Sequence, residues 1–170
     1  TVCNALDTLV VDRAVAKELL EGVAAELTAH GVVIYADTQS YRILENCYAR
    51  ELLKHATAQS FGKEYLSLQM AVKIVAGSKE GLTHVKRYTS GHSEAIITND
   101  KKIAREFVDT VDAAAVYVNA PTSFTDGFEF GLGAEIGVST QKLHARGPMG
   151  LVALTTYKCI IEGAGQIRPA

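Results

Sequence analysis

The sequence predicts an α/β domain built on a mainly parallel sheet. Short apolar, β-branched runs recur through the first 120 residues. Between them lie stretches whose apolar residues fall at helical spacing, and Asp, Ser or Gly stands where one period gives way to the other. Strands that alternate with amphipathic helices in this way build crossover units, and crossovers make strands parallel.

Taken in order, residues 8–11 are of strand type. Asp12 is placed to cap a helix whose apolar positions Val15, Leu19, Val23 and Leu27 fall four apart. Gly31 follows as the C′ residue, where a positive φ is common. "VVIYAD" (32–37) returns to strand chemistry and residues 38–47 read as a helix. The rhythm repeats with a strand at 71–76, a helix at 78–88 capped by Ser78, and a strand at 94–99. Asp100 then caps a helix with Ile103, Phe107 and Val111 on one face, and residues 114–120 are strand again. From Pro121 the character changes. Residues 127–150 are glycine-rich and read as loops. "LTTYKCIIEG" (154–163) reads as a strand with an edge to protect. Pairing with another subunit would protect it, and an ordinary edge strand of the same domain fits as well. The expected organisation is therefore 1–120, an α/β domain; 121–153, a glycine-rich loop region; and 154–170, a strand and tail.

Composition narrows the function. The 170 residues are 48% hydrophobic and 21% charged, ordinary for a globular protein. A net charge of −2 provides no field for nucleic acid or an anionic membrane. No apolar run approaches the roughly 20 residues of a spanning helix. The three cysteines, Cys3, Cys47 and Cys159, are odd in number and far apart, which fits a reducing cytoplasm and argues against zinc or a disulfide framework.

The motifs are weak one by one. "GLGAEIG" places Gly131, Gly133 and Gly137 as GxGxxxG with no convincing helix after it, which is the wrong spacing for a dinucleotide-binding turn. Glycines that let a loop pass close to other atoms explain it better. "HARGP" (144–148) sets His144 and Arg146 beside a Gly-Pro turn, able to hold an anion or to form a structural ion pair. The five histidines show no ligand spacing. A free cysteine is more often packing than nucleophile, so Cys3 stays open at this level.

The stretch "SFTDGFEFGLGAEIGVSTQKLHARGPMGLVALTTYK" (123–158) closely resembles the γ-glutamyl phosphate reductase (glutamate-5-semialdehyde dehydrogenase) family of the aldehyde dehydrogenase superfamily. "VCNALDTL", "EYLSLQMAVKIV", "RYTSGHSEAIIT" and "VYVNA" extend the resemblance over the whole chain in the family's order. The resemblance implies an aldehyde dehydrogenase-like catalytic domain with a C-terminal oligomerisation strand. It further implies that Cys3 is the catalytic cysteine and that an N-terminal cofactor-binding portion is missing. The implied reaction is NADPH-dependent reduction of L-glutamyl 5-phosphate to glutamate 5-semialdehyde in proline biosynthesis, through a thioester on a low-pKa Cys3. Glu64 resembles the glutamate that binds the nicotinamide ribose. Asn119, Thr122 and Ser123, with Arg146, are the implied substrate-binding residues. The family usually reads Ser-Thr-Arg where this chain has Pro121-Thr122-Ser123, so carboxylate recognition is rearranged, through Arg146, or that arginine is structural. The implied partners are the substrate and further copies of the chain. Two other readings stay open: a non-catalytic assembly module, and an acylating aldehyde dehydrogenase for another acyl donor.

Overall fold

Three of the β-branched runs and one short segment not read from the sequence pair into one sheet: β1 (Thr8–Asp12), β2 (Val33–Ala36) and β4 (Gln69–Val75), with β3 (Leu53–His55). The order is β1-β4-β2-β3 and every pairing is parallel. These strands belong to a computed structural model that describes residues 2–169. Thr1 and Ala170, the outer ends of the expected 1–120 and 154–170 segments, lie outside it. The helices are α1 (Ala16–Ala29), α2 (Thr38–Leu44), α3 (Ser78–Tyr88) and α4 (Lys101–Thr110). A second parallel pair joins β5 (Ser93–Ile96) to β6 (Ala115–Val118), and a short antiparallel pair joins β7 (Val138–Ser139) to β8 (Gly147–Pro148). The mainly parallel α/β fold is as the sequence predicts.

Burial follows from strand position. β4 lies between β1 and β2, so Met70, Ala71, Val72, Ile74 and Val75 are buried on both of its faces. The main cluster joins Met70, Val72 and Ile74 to Leu20 and Ala24 of α1, Ile34 of β2 and Leu44 of α2. A smaller cluster of Leu82, Phe107 and Val111 binds α3 to α4, with Ile96 and Val116 of the second sheet packed against it. The Asp100 cap is as expected: its Oδ1 accepts from the Lys102 and Ile103 amides. Gly31 takes its positive φ of 66° just past α1.

Several local expectations are corrected. Asp12 does not cap α1. Its Oδ1 closes a turn on the Ala14 amide, and the helix begins later, after Val15. The buried stripe is accordingly Ala16, Leu20 and Ala24, one residue on from the expected one, and Val15 and Leu19 face out. Ser78 lies inside α3, whose N-cap is Gly77, and the Glu80 carboxylate reaches back to the Ala76 amide. The strand expected at 154–163 is not formed. A 3-10 turn occupies Leu151–Leu154, and residues 156–163 make no backbone hydrogen bond to the described chain. A strand needs a neighbouring strand to bond with, and this segment has none here.

The glycine-rich region behaves as a close-packed loop. A Cβ on Gly127 would sit 2.7 Å from the Ala134 carbonyl oxygen, so only glycine lets these two segments cross. The loop is tied down by Asp112, which pairs with both Lys142 and Arg146.

Candidate active site

Cys3 sits on a turn. The Ala5 amide donates to the Val2 carbonyl at 3.1 Å, which puts Cys3 and Asn4 at the two corners, immediately before β1. Asn4 fastens that turn to a distant segment. Its Nδ2 donates to the Ser123 and Thr125 carbonyls, each at 3.1 Å, and Thr122 Oγ1 donates to the Asn4 carbonyl at 2.7 Å. The thiol is therefore held by the 3-10 turn at Thr122–Phe124, far along the chain.

The turn opens on a cleft of ≈ 420 Å³, lined among others by Cys3, Asp7, Glu64, His92, Glu94 and Thr122. α3 contributes His84, Val85 and Tyr88, and Thr140 of the glycine-rich region reaches in beside Gly91. A sequence-distant set of groups thus meets at one concave surface, the usual form of a small-molecule site.

The cleft is acidic. Burial raises the Glu94 carboxyl above its ordinary range, and the Asp7 charge pushes it further, against a hydrogen bond from Thr89. Burial likewise raises Asp7, and Glu64 adds to the effect, while the Tyr65 amide and His92 oppose it. Burial also pushes the Cys3 thiol up. The Glu135 carboxylate, and then Glu64, act in the same direction, and the backbone amides of Cys3 and Asn4 only partly offset them. The sequence expectation of a low-pKa thiolate is therefore corrected for this chain: two carboxylates act on the thiol, and among the described residues no cation comparably placed stabilises its anion.

Of the residues singled out from the sequence, the fold brings Cys3, Glu64 and Thr122 to the cleft. Asn119, Ser123 and Arg146 do not line it. Asn119, at φ 56°, spends its amide on the Thr98 backbone, donating to the carbonyl at 3.0 Å and accepting from the amide at 2.8 Å. Ser123 meets the Cys3 turn through its carbonyl. Arg146 donates to Asp112 at 2.8 Å. Sequence reasoning missed Asp7, His92 and Glu94. Asp7 stands just before β1 and His92 just before β5, while Glu94 lies within β5; only Asp7 is near Cys3 in sequence, so no spacing pointed to the other two.

Comparison with known proteins places this geometry. No family model matches the chain. A crystal structure of gamma-glutamyl phosphate reductase from Thermotoga maritima superposes on 99% of the chain with a TM-score of 0.87 at 45% identity. The chain has the fold of the matching part of that reductase. Curated gamma-glutamyl phosphate reductases of Legionella pneumophila and Chlorobium limicola are 53% and 55% identical over 168 residues, 99% of the chain. The chain spans 40% of the length of these relatives. An acetylating aldehyde dehydrogenase from Geobacillus thermoglucosidasius shares the fold at 18% identity, with a TM-score of 0.59. The aldehyde dehydrogenase-like fold expected from the resemblance is thus found in solved neighbours.

Proposed function

We propose that this chain is the catalytic portion of a gamma-glutamyl phosphate reductase, reducing L-glutamyl 5-phosphate to glutamate 5-semialdehyde with NADPH in proline biosynthesis. The observation that carries the reading is identity above one half with such reductases over 99% of the chain. The turn that presents Cys3 to an open cleft supports it.

The chemistry follows from the thiol. An acyl phosphate already has a good leaving group, so the reaction needs a nucleophile more than a strong acid. Cys3 Sγ attacks the acyl carbon, a C–S bond forms, and the C–O bond to phosphate breaks. The amides of Cys3 and Asn4, which face the sulfur, are the nearest donors to the oxyanion that develops. No hydrolysis is required, so the carboxylates around Cys3 need not activate water.

The residues present fit one end of the cofactor. Glu64 is exposed at the cleft with no hydrogen-bond partner among the described residues, and a free carboxylate suits the ribose hydroxyls. Gly131 and Gly133 turn a loop and open no helix, so they provide no pyrophosphate site. When bound, the cofactor supplies the hydride. Substrate anchoring falls to Thr122 and to the cleft carboxylates, Asp7 and Glu94, which suit the ammonium of the glutamyl group. Asn119, Ser123 and Arg146 keep a supporting role, through the segments they hold beside the cleft.

The exposed tail is the assembly element in this reading. Tyr157, Ile160 and Ile161 are 88%, 74% and 85% exposed on backbone that makes no hydrogen bond among the described residues, a surface suited to a strand of a second copy. Three free cysteines fit a reducing cytoplasm.

The test is turnover. A full-length reductase carrying these 170 residues is assayed for phosphate-dependent oxidation of the semialdehyde, the reverse reaction, alongside its Cys3→Ser variant. NADPH formation that disappears in the variant is the expected result. A full rate in the variant overturns the reading.

A further inference from the structure

The turn that carries Cys3 is fastened to a segment that one buried hydroxyl holds in place. Among the described residues, every hydrogen bond between residues 2–6 and the rest of the chain involves residues 122–125. Asn4 Nδ2 donates to the Ser123 and Thr125 carbonyls, and Thr122 Oγ1 donates to the Asn4 carbonyl. Residues 121–125 have few bonds of their own to the fold. Among the described residues, Thr125 Oγ1 makes the only hydrogen bonds that tie them to a strand or α-helix. It lies 2.7 Å from Ser93 Oγ of β5 and 2.8 Å from Tyr117 OH of β6. A hydroxyl donates one bond and accepts others, so both contacts form whichever way the protons point. Thr125 is 1% exposed, and a buried hydroxyl bond is costly to lose.

The second sheet offers these two partners on one face. Side chains alternate along a strand, and in the parallel register Ser93 pairs with Ala115 and Ala95 pairs with Tyr117. Ser93 and Tyr117 therefore share a side. Ile96 and Val116 point the other way, against the small core of Leu82, Phe107 and Val111. Apolar packing on α3 and α4 thus fixes the sheet from behind, while its opposite face seats Thr125.

We propose that Thr125 is a positioning residue for the Cys3 thiol, clamped to the second sheet by Ser93 and Tyr117 and passing that position on through Asn4; this rests on the reading of Cys3 as the nucleophile. Thr125 is not among the residues that line the cleft, so it acts only through the turn. Its carbonyl sets where the Asn4 amide sits, and the Val2–Ala5 turn sets where Cys3 faces the cleft. Attack on the acyl carbon tolerates little misplacement of the sulfur: an error near 1 Å costs about a hundredfold in rate. Asp7, Glu64 and Glu94 lie outside the clamped segment and keep their places in the cleft without it. The clamp therefore weighs on kcat more than on KM.

The test is steady-state kinetics of a full-length reductase carrying these residues, followed as semialdehyde oxidation. Thr125→Val keeps the side-chain shape and removes the hydroxyl. Its kcat is expected to fall at least about tenfold, with KM for the semialdehyde within about threefold. Thr125→Ser restores the hydroxyl and should recover most of kcat. Val111→Ala opens the small core behind the same sheet and touches no bond of the clamp, so it reads the effect of lost stability alone and should leave kcat unchanged. An unchanged kcat in Thr125→Val, a loss carried mainly by KM, no recovery in Thr125→Ser, or an equal fall in Val111→Ala overturns the proposal. Where Thr125→Val does not fold, Tyr117→Phe decides: it removes one of the two partners, so a lowered kcat supports the clamp and a full rate overturns it.

Hydrogen exchange at the Ala5 amide, which closes the turn on the Val2 carbonyl, separates this proposal from the reaction it rests on. Faster exchange in Thr125→Val, in a reductase whose Cys3→Ser form keeps a full rate, leaves the clamp standing and removes Cys3 as the nucleophile. Unchanged exchange, with Cys3→Ser inactive, leaves the nucleophile standing and removes the clamp.

Discussion

Burial and the carboxylates of Glu135 and Glu64 act together on the Cys3 thiol, and both carboxylates come from segments remote in sequence. Removing either charge should therefore ease ionisation. Glu135→Gln is expected to lower the pH at which Cys3 becomes reactive toward a neutral alkylating reagent and to speed its labelling near pH 7. A profile that stays put or moves up would contradict the electrostatic account. At this scale the sequence showed residue types but not their partners. Arg146 read as able to hold an anion or to form a structural ion pair; Asp112, supplied by the segment before β6, makes it an ion pair in the fold. Asn119 read as a ligand for substrate, yet its amide closes the ends of β5 and β6 through Thr98. His92 was one of five unremarkable histidines until the fold set it beside the cleft.

At the scale of elements, Asp37 joins three of them. Its Oδ1 accepts from the Ser40 amide at 2.9 Å and caps α2, and its Oδ2 accepts from Lys73 Nζ at 3.0 Å and the Ile74 amide at 3.2 Å on β4. Burial alone would raise this carboxyl; the bonds from Ser40, Lys73 and Ile74 outweigh it and hold it below the usual range. A carboxyl whose folded value is depressed stabilises the fold above its unfolded pKa, and that stability is lost as pH falls through the folded value. Asp37→Ala should cost about 2 kcal/mol in denaturant unfolding at neutral pH, with the deficit shrinking under acid. A variant of unchanged stability at neutral pH would contradict this. Strands and helices at long, periodic runs were legible, including the Asp100 cap. β3 was not, because three residues, Leu53, Lys54 and His55, are too few to show a period. The face of α1 was misjudged by one residue because the turn held by Asp12 delays the helix start, and small Ala16 and Ala24 give no strong apolar signal.

For the molecule as a whole, one well-buried core sits at the four-stranded sheet, and a smaller one joins α3 and α4 beside the cleft. The tail shares neither. Its β-branched pattern was read as a strand, and the residues carry strand chemistry, but no strand pairs with it among the described residues. A double substitution, Ile160→Asp with Ile161→Asp, is expected to leave folding intact and to reduce the sedimentation coefficient of a full-length reductase to that of a smaller assembly. An unchanged coefficient would contradict tail-mediated association. None of the helices among the described residues is long and apolar enough to cross a membrane. The resemblance in sequence pointed to the site further than spacing did, because Cys3 and its surroundings are assembled from the turn before β1, the start of β5 and the loop after β6.

In the proposed reaction Cys3 carries the acyl group. A full-length reductase containing these residues, quenched in acid during turnover with semialdehyde and phosphate, should yield a glutamyl adduct on the Cys3 peptide and none on the peptides of Cys47 and Cys159. Turnover with the acyl group on another cysteine, or with no adduct on Cys3 at any time, would contradict the account.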